Sequence, residues 1–170
     1  MDLDTINRLD QRAFVAAFGA VFEHSPWVAE SAWRERPYAS VAALHGAMVN
    51  AVRAAPSAQQ LALLRAHPEL AGSEAVAGAL TVDSTGEQGR LGFTALSHAE
   101  FESMGELNRR YREKFGFPCI IALKLHTNRG TVTADFTRRL ANDVDTEMKN
   151  ALEQIGHITR ARLDKLVNGG

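Results

Sequence analysis

Phe117-Pro118-Cys119-Ile120-Ile121-Ala122-Leu123-Lys124-Leu125 is the stretch on which the fold turns. Its branched apolar residues suit a buried strand, and its period equally allows a buried helix. The sequence offers one weak partner strand, near residues 131–133. Thr131 or Thr133 can instead begin a helix that runs to Leu140. On the residues alone, the stretch stays open between the two.

Outward from it, helical periodicity dominates. Asp143 or Asp145 caps a long last helix with Val144, Met148, Leu152, Ile155, Ile158, Leu163 and Leu166 apolar. On the other side, Ser97-His98-Ala99-Glu100 reads as a capping box. It opens a helix carrying Phe101, Met104, Leu107, Tyr111 and Phe115, closed by Gly116. Residues 72–92 are rich in glycine and small side chains, which predicts a short helix near 73–80, a turn, and a new start at Ser84. Ser57-Ala58-Gln59-Gln60 reads as a second capping box, before Leu61, Leu64 and a stop at His67-Pro68. Ser40 starts a helix with Val41, Leu44, Met48 and Val52 as its stripe, broken by Pro56. Asp10 caps one with Phe14, Phe18, Val21 and Phe22 on a face, ended by Ser25-Pro26. Trp27 and Trp33 follow, in a segment closed by Arg36-Pro37. Without a repeat, a low-complexity tract or a linker, 170 residues suit one domain over 1–170.

The composition narrows the class of partner. With 45% hydrophobic and 23% charged residues, the chain reads as globular. Lys+Arg number 19 against 20 Asp+Glu, so the chain lacks the basic excess of a nucleic-acid binder. Arg109, Arg110, Arg112 and Lys114 form a local basic cluster, most simply a solvated helix face with Glu106 and Glu113 close by. A single cysteine allows no internal disulfide and suits a reducing compartment. No apolar run reaches membrane-spanning length. Asp2 and Asp4 do not fit a signal peptide, and Val167-Asn168-Gly169-Gly170 is not a Ser-Lys-Leu address. A cytoplasmic protein is expected.

Two short stretches concentrate chemistry: His67-Pro68-Glu69-Leu70-Ala71-Gly72 and Ser84-Thr85-Gly86-Glu87-Gln88. Pro68 bars helix continuation and pushes His67 out of the helical region. The imidazole is thereby placed at a fixed break, where it can face a cleft. With a carboxylate and an amide nearby, it makes an acid/base set for neutral pH. Each residue also has a plainer reading. A histidine at a helix end can bond the last carbonyls. Ser84 and Glu87 have capping-box spacing, and Gln88 is then a first-turn surface residue. Arg160 and Arg162 are two apart and so face differently on the last helix. No His, Cys, Asp and Glu set has metal-ligand spacing, and there is no Walker-type phosphate loop.

Those two stretches form part of an ordered set. It continues with Glu106-Leu107-Asn108-Arg109-Arg110-Tyr111-Arg112-Glu113-Lys114-Phe115-Gly116-Phe117-Pro118 and Ile120-Ile121-Ala122. It closes with Phe136-Thr137-Arg138-Arg139-Leu140-Ala141-Asn142 and Ile158-Thr159-Arg160-Ala161-Arg162-Leu163. From about residue 9 to 167, the chain resembles the 2-oxo-4-hydroxy-4-carboxy-5-ureidoimidazoline (OHCU) decarboxylases of uric acid breakdown. Cys119 departs from the pattern, standing where the family usually has an aromatic, a change expected to alter pocket shape more than chemistry.

The resemblance implies an all-α fold, a single compact multi-helix domain with a long C-terminal helix, and so supports the helical reading of the open stretch. It implies cofactor-independent decarboxylation to (S)-allantoin, because the substrate ring carries its own electron sink. It implies His67 and Glu87 as catalytic residues. Pro68, Ser84, Gln88, Phe117, Ile120, Ala122 and Arg162 become substrate-binding, with Pro118 beside them and Arg162 preferred to Arg160. A small-molecule ureidoimidazoline partner and a homodimer are implied, with no metal, nucleic acid or membrane. Two other readings use the same residues. In a ureide ring hydrolase, His67 and Glu87 activate water; in a helical interaction module, they are a helix end and a cap.

Overall fold

The computed structural model describes residues 1–168, with the side chain of Asn168 left aside; Gly169 and Gly170, where the absent Ser-Lys-Leu address was read, lie outside the described residues. The described residues form helices and no strand. The chain divides into two compact units, Met1–Ala66 with the chain from Gly156 onward, and His67–Ile155.

The first unit holds α1 (Leu3–Arg8), α2 (Gln11–Phe18), α3 (Trp27–Trp33), α4 (Val41–Ala54) and α5 (Ser57–Arg65). Asp2, Asp10 and Ser40 cap α1, α2 and α4 by accepting from the backbone N–H three residues on. Phe14, Phe18, Leu44, Met48 and Val52 are buried. α2 ends at Phe18, earlier than its apolar pattern suggests. Val21 and Phe22 are buried from the turn that follows, because burial needs the side chain and not the helix. The capping box expected at Ser57 does not form. Pro56 takes the cap position and Ser57 is already helical, while Gln60 donates to the Val52 and Arg53 carbonyls at the end of α4.

The second unit holds α6 (Ser73–Val76), α7 (Val82–Arg90), α8 (His98–Phe115), a 3-10 turn (Leu123–Leu125), α9 (Arg129–Arg139) and the first part of α10 (Val144–Asn168). α8 has the expected Ser97/Glu100 capping box and ends at Gly116, whose φ of 77° only glycine adopts freely. Asp143 caps α10, accepting from Thr146 N at 2.7 Å. α9 begins two residues before Thr131, because Asn128 caps it. α6 stops at Val76, well before residue 80.

The decisive stretch is neither strand nor helix. Residues 117–123 are all buried and run irregularly into the 3-10 turn. Side chains do the work of a partner strand. Arg139 Nη1 donates to Ile120 O at 2.6 Å, Arg90 donates to Leu123 O, and Ala122 N donates to Gln154 Oε1 at 2.8 Å. Ile120 O, Leu123 O and Ala122 N are thus paired without a sheet.

Arg139 is itself buried and tied to buried Glu147, whose Oε2 accepts from Nε at 2.9 Å. Glu147 also accepts from Tyr111 Oη, Asn142 Nδ2 at 2.7 Å and Asn150 Nδ2 at 2.8 Å. Burial alone would raise its pKa, but the donors outweigh burial and hold its carboxyl below the usual range. A buried pair is tolerable only when satisfied in this way. Tyr111 packs edge-on to Phe117 and Phe136, joining the network to the aromatic core.

Removing one member leaves an uncompensated charge, so Glu147→Ala is expected to cost about 3–5 kcal/mol in urea unfolding. A lowered folded-state pKa stabilises above the ordinary carboxylate pKa, and that contribution is lost as pH falls through the folded value. Wild type should therefore lose stability below about pH 4 more steeply than Glu147→Gln.

Candidate active site

α5 ends at Arg65, and His67 follows half-buried at the bend before buried Pro68. The chain then turns tightly. Ala71 takes φ 49°, an uncommon value for a residue with a Cβ. A Cβ on Gly72 would meet Glu69 Cβ at 2.7 Å, so only glycine fits there.

α7 starts at Val82, with Thr81 as its cap, its side chain accepting from Ser84 N at 3.3 Å. The expected start at Ser84 is thereby corrected, and with it the capping-box reading of Ser84 and Glu87. Both residues at 81 and 84 can cap. The earlier start puts Asp83 in the first turn, near the positive helix end, and lets Ser84 turn inward. Ser84 and Gln88 then lie one turn apart on a buried face, with Glu87 half-buried at its edge.

The buried face of α7 grips the 67–72 loop. Gln88 Oε1 accepts from Ala71 N at 2.9 Å, and Gln88 Nε2 donates to Glu69 O at 3.1 Å. One carboxamide thus holds both a donor and an acceptor of the loop. Among the described residues its second N–H and second lone pair take no other partner. α8 grips the same loop. Asn108 Nδ2 donates to Leu70 O at 2.8 Å, and Arg112 pairs with Glu69 at 2.9 Å. Asn108 did not stand out in the sequence. The available signal was a polar residue inside the stripe of Met104, Tyr111 and Phe115.

The second unit therefore brings His67, Pro68, Ser84, Glu87 and Gln88 onto two segments bonded directly to each other. Phe117, Pro118, Ile120 and Ala122 are buried in the same unit. A cavity of about 370 Å³ in that unit has other walls, among them Phe93, Met104, Leu107 and Arg129. Arg162 belongs to the first unit. It is buried, with Nη1 and Nη2 both 3.3 Å from Glu23 Oε2. Arg160, on a different face, donates from Nε to both carboxylate oxygens of Asp164 at 2.9 Å. Burial, only partly opposed by Arg139, pushes the Cys119 thiol up to about 12, which keeps it protonated and a poor nucleophile.

A family model describing OHCU decarboxylase matches residues 7–164. The 2-oxo-4-hydroxy-4-carboxy-5-ureidoimidazoline decarboxylase of Haloferax volcanii is 41% identical over 163 residues, covering 96% of this chain and 94% of that protein. Its namesake from Xenopus laevis is 34% identical, covering 96% and 93%. A crystal structure of (S)-allantoin synthase superposes with a TM-score of 0.78 at 27% identity, over 98% of this chain; the chain spans 54% of that one. The family model and both decarboxylases match along nearly the full length of this chain. The chain belongs to the OHCU decarboxylase family.

Gln88→Ala removes both loop bonds and should lower kcat by about tenfold or more while far-ultraviolet circular dichroism stays unchanged. Gln88→Glu keeps the acceptor for Ala71 N but loses the donor to Glu69 O, so its kcat should fall between the two.

Proposed function

We propose that this protein is a carboxy-lyase that converts 2-oxo-4-hydroxy-4-carboxy-5-ureidoimidazoline to (S)-allantoin in uric acid degradation, as the names of its relatives state for them. One observation carries the reading beyond family membership: the Gln88 clamp, which binds the loop bearing His67 to the helix bearing Glu87.

The chemistry follows from the substrate's connectivity. C4 bears the hydroxyl and the carboxylate and adjoins the ring C5=N bond. Loss of carbon dioxide breaks the bond from C4 to the carboxylate. The electron pair spreads into C5=N and onto the ring nitrogen. C5 gains a proton from one face, and the hydroxyl gives up its proton as the C4 carbonyl forms. The ring nitrogen takes a proton from solvent. Because the ring supplies its own electron sink, the reading requires no thiamine, pyridoxal or metal.

The protein then has to orient the carboxylate, stabilise developing charge and deliver a proton to one face. In this reading His67 exchanges the hydroxyl proton, and Glu87 sets the imidazole charge or binds ring nitrogens. Ser84 and the remaining capacity of Gln88 bond the ring and ureido group. Pro68 packs against the ring, and Phe117, Pro118, Ile120 and Ala122 line its surroundings. Arg162 anchors an anionic group through its fork. The reading treats residues 1–170 as one functional domain, acting as a cytoplasmic homodimer. Among the described residues, no helix is long and apolar enough to cross a membrane.

The test uses substrate freshly generated by urate oxidation and hydrolysis, with carbon dioxide and allantoin chirality followed together. Wild type should release carbon dioxide with (S)-allantoin in excess, whereas a ring hydrolase would release none. His67→Ala and Glu87→Ala should each lose about 10²–10⁴-fold in kcat with Tm retained. A folded variant at wild-type turnover would remove its residue from the mechanism.

A further inference from the structure

We infer that Asn108 is a positioning residue for the reaction, setting the His67 loop from α8; the inference rests on the decarboxylase reading above. Asn108 is 5% exposed, and its Nδ2 donates to Leu70 O at 2.8 Å. That bond fixes the amide's orientation, since the flipped group would face one acceptor with another. Its Oδ1 is buried and has no hydrogen-bond partner among the described residues. As a device for stability alone, the side chain breaks even. It satisfies one buried carbonyl and leaves its own orphaned. What it adds is a position.

The position is that of the catalytic loop. Glu69, Leu70 and Ala71 are each tied to a helix side chain: Glu69 to Arg112 and Gln88, Leu70 to Asn108, and Ala71 to Gln88. Asn108 and Arg112 are one turn apart, so a single face of α8 reaches two successive loop residues. Ala71 holds its positive φ only while its surroundings enforce it. Pro68 limits the conformations of His67. A shift of the Leu70 carbonyl therefore passes to the imidazole through three covalently linked residues with little slack. A displacement of about 1 Å can cost on the order of 10²-fold in rate.

Two full-length variants test this beside wild type. Asn108→Leu exchanges one orphaned acceptor, Oδ1, for another, Leu70 O, so Tm should stay close to wild type. Its kcat should fall roughly 10- to 100-fold with KM changed far less. In Asn108→Asp the new carboxyl donates to Leu70 O only when protonated. Its kcat relative to wild type should be highest at the acid end of the assay range and decline as pH rises. This pH profile decides the matter if Asn108→Leu does not fold. Wild-type kcat in folded Asn108→Leu, or an Asn108→Asp profile that overlays wild type, overturns the inference alone. A wild type that releases no carbon dioxide removes the decarboxylase reading and the inference with it.

Discussion

A backbone N–H or carbonyl shut away from water must find a partner, and the His67–Ile155 unit obeys this in an unusual way. Two of its largely buried segments, 67–72 and the stretch from 117 into the 3-10 turn at Leu123, lie outside the α-helices and have no sheet to join. Several of their backbone groups are taken instead by side chains reaching from helices. Gln88 and Asn108 serve the first segment; Arg139, Gln154 and Arg90 serve the second. Arg139 can do so only because Glu147 neutralises it and Tyr111, Asn142 and Asn150 complete the shell of Glu147. Side-chain bonds of this kind allow an arbitrary local shape. That freedom lets a loop carry an imidazole at a proline break and remain fixed.

The same constraint separates what was legible in the sequence from what was not. α8 was legible at both ends because its signals are local: Ser97 and Glu100 three apart, and Gly116 at the stop. α4 was legible from Ser40 and its stripe for the same reason. The stretch at 117–125 was not. Its partners stand 19, 32 and 33 residues away, and no period within the stretch reports on them. Ser84 and Ser57 were misplaced by the converse problem: each sits near a neighbour, Thr81 or Pro56, that serves the helix start. Local spacing cannot show which of two neighbours takes the cap position.

The candidate site divides along the same line. His67, Glu87 and Gln88 were named from short motifs and a family resemblance, and the all-α fold and family membership agree with that resemblance. The motifs did not disclose that Gln88 grips the loop backbone. Asn108 sits as a polar residue inside the apolar stripe of α8, and its partner, Leu70 O, is 38 residues away, so neither periodicity nor spacing marks its role. Arg162 has its partner Glu23 139 residues away, a pairing beyond any reading of neighbours.

Amide hydrogen exchange at Ala71 and Ala122 tests this account most directly, since each N–H donates to a glutamine side chain from a helix. Both segments are irregular, and an ordinary loop amide exchanges with little protection. If side chains hold these segments as described, both amides should exchange only as slowly as the core of α8, near the global unfolding limit. Exchange at rates typical of open loops, in a protein otherwise folded, would contradict it.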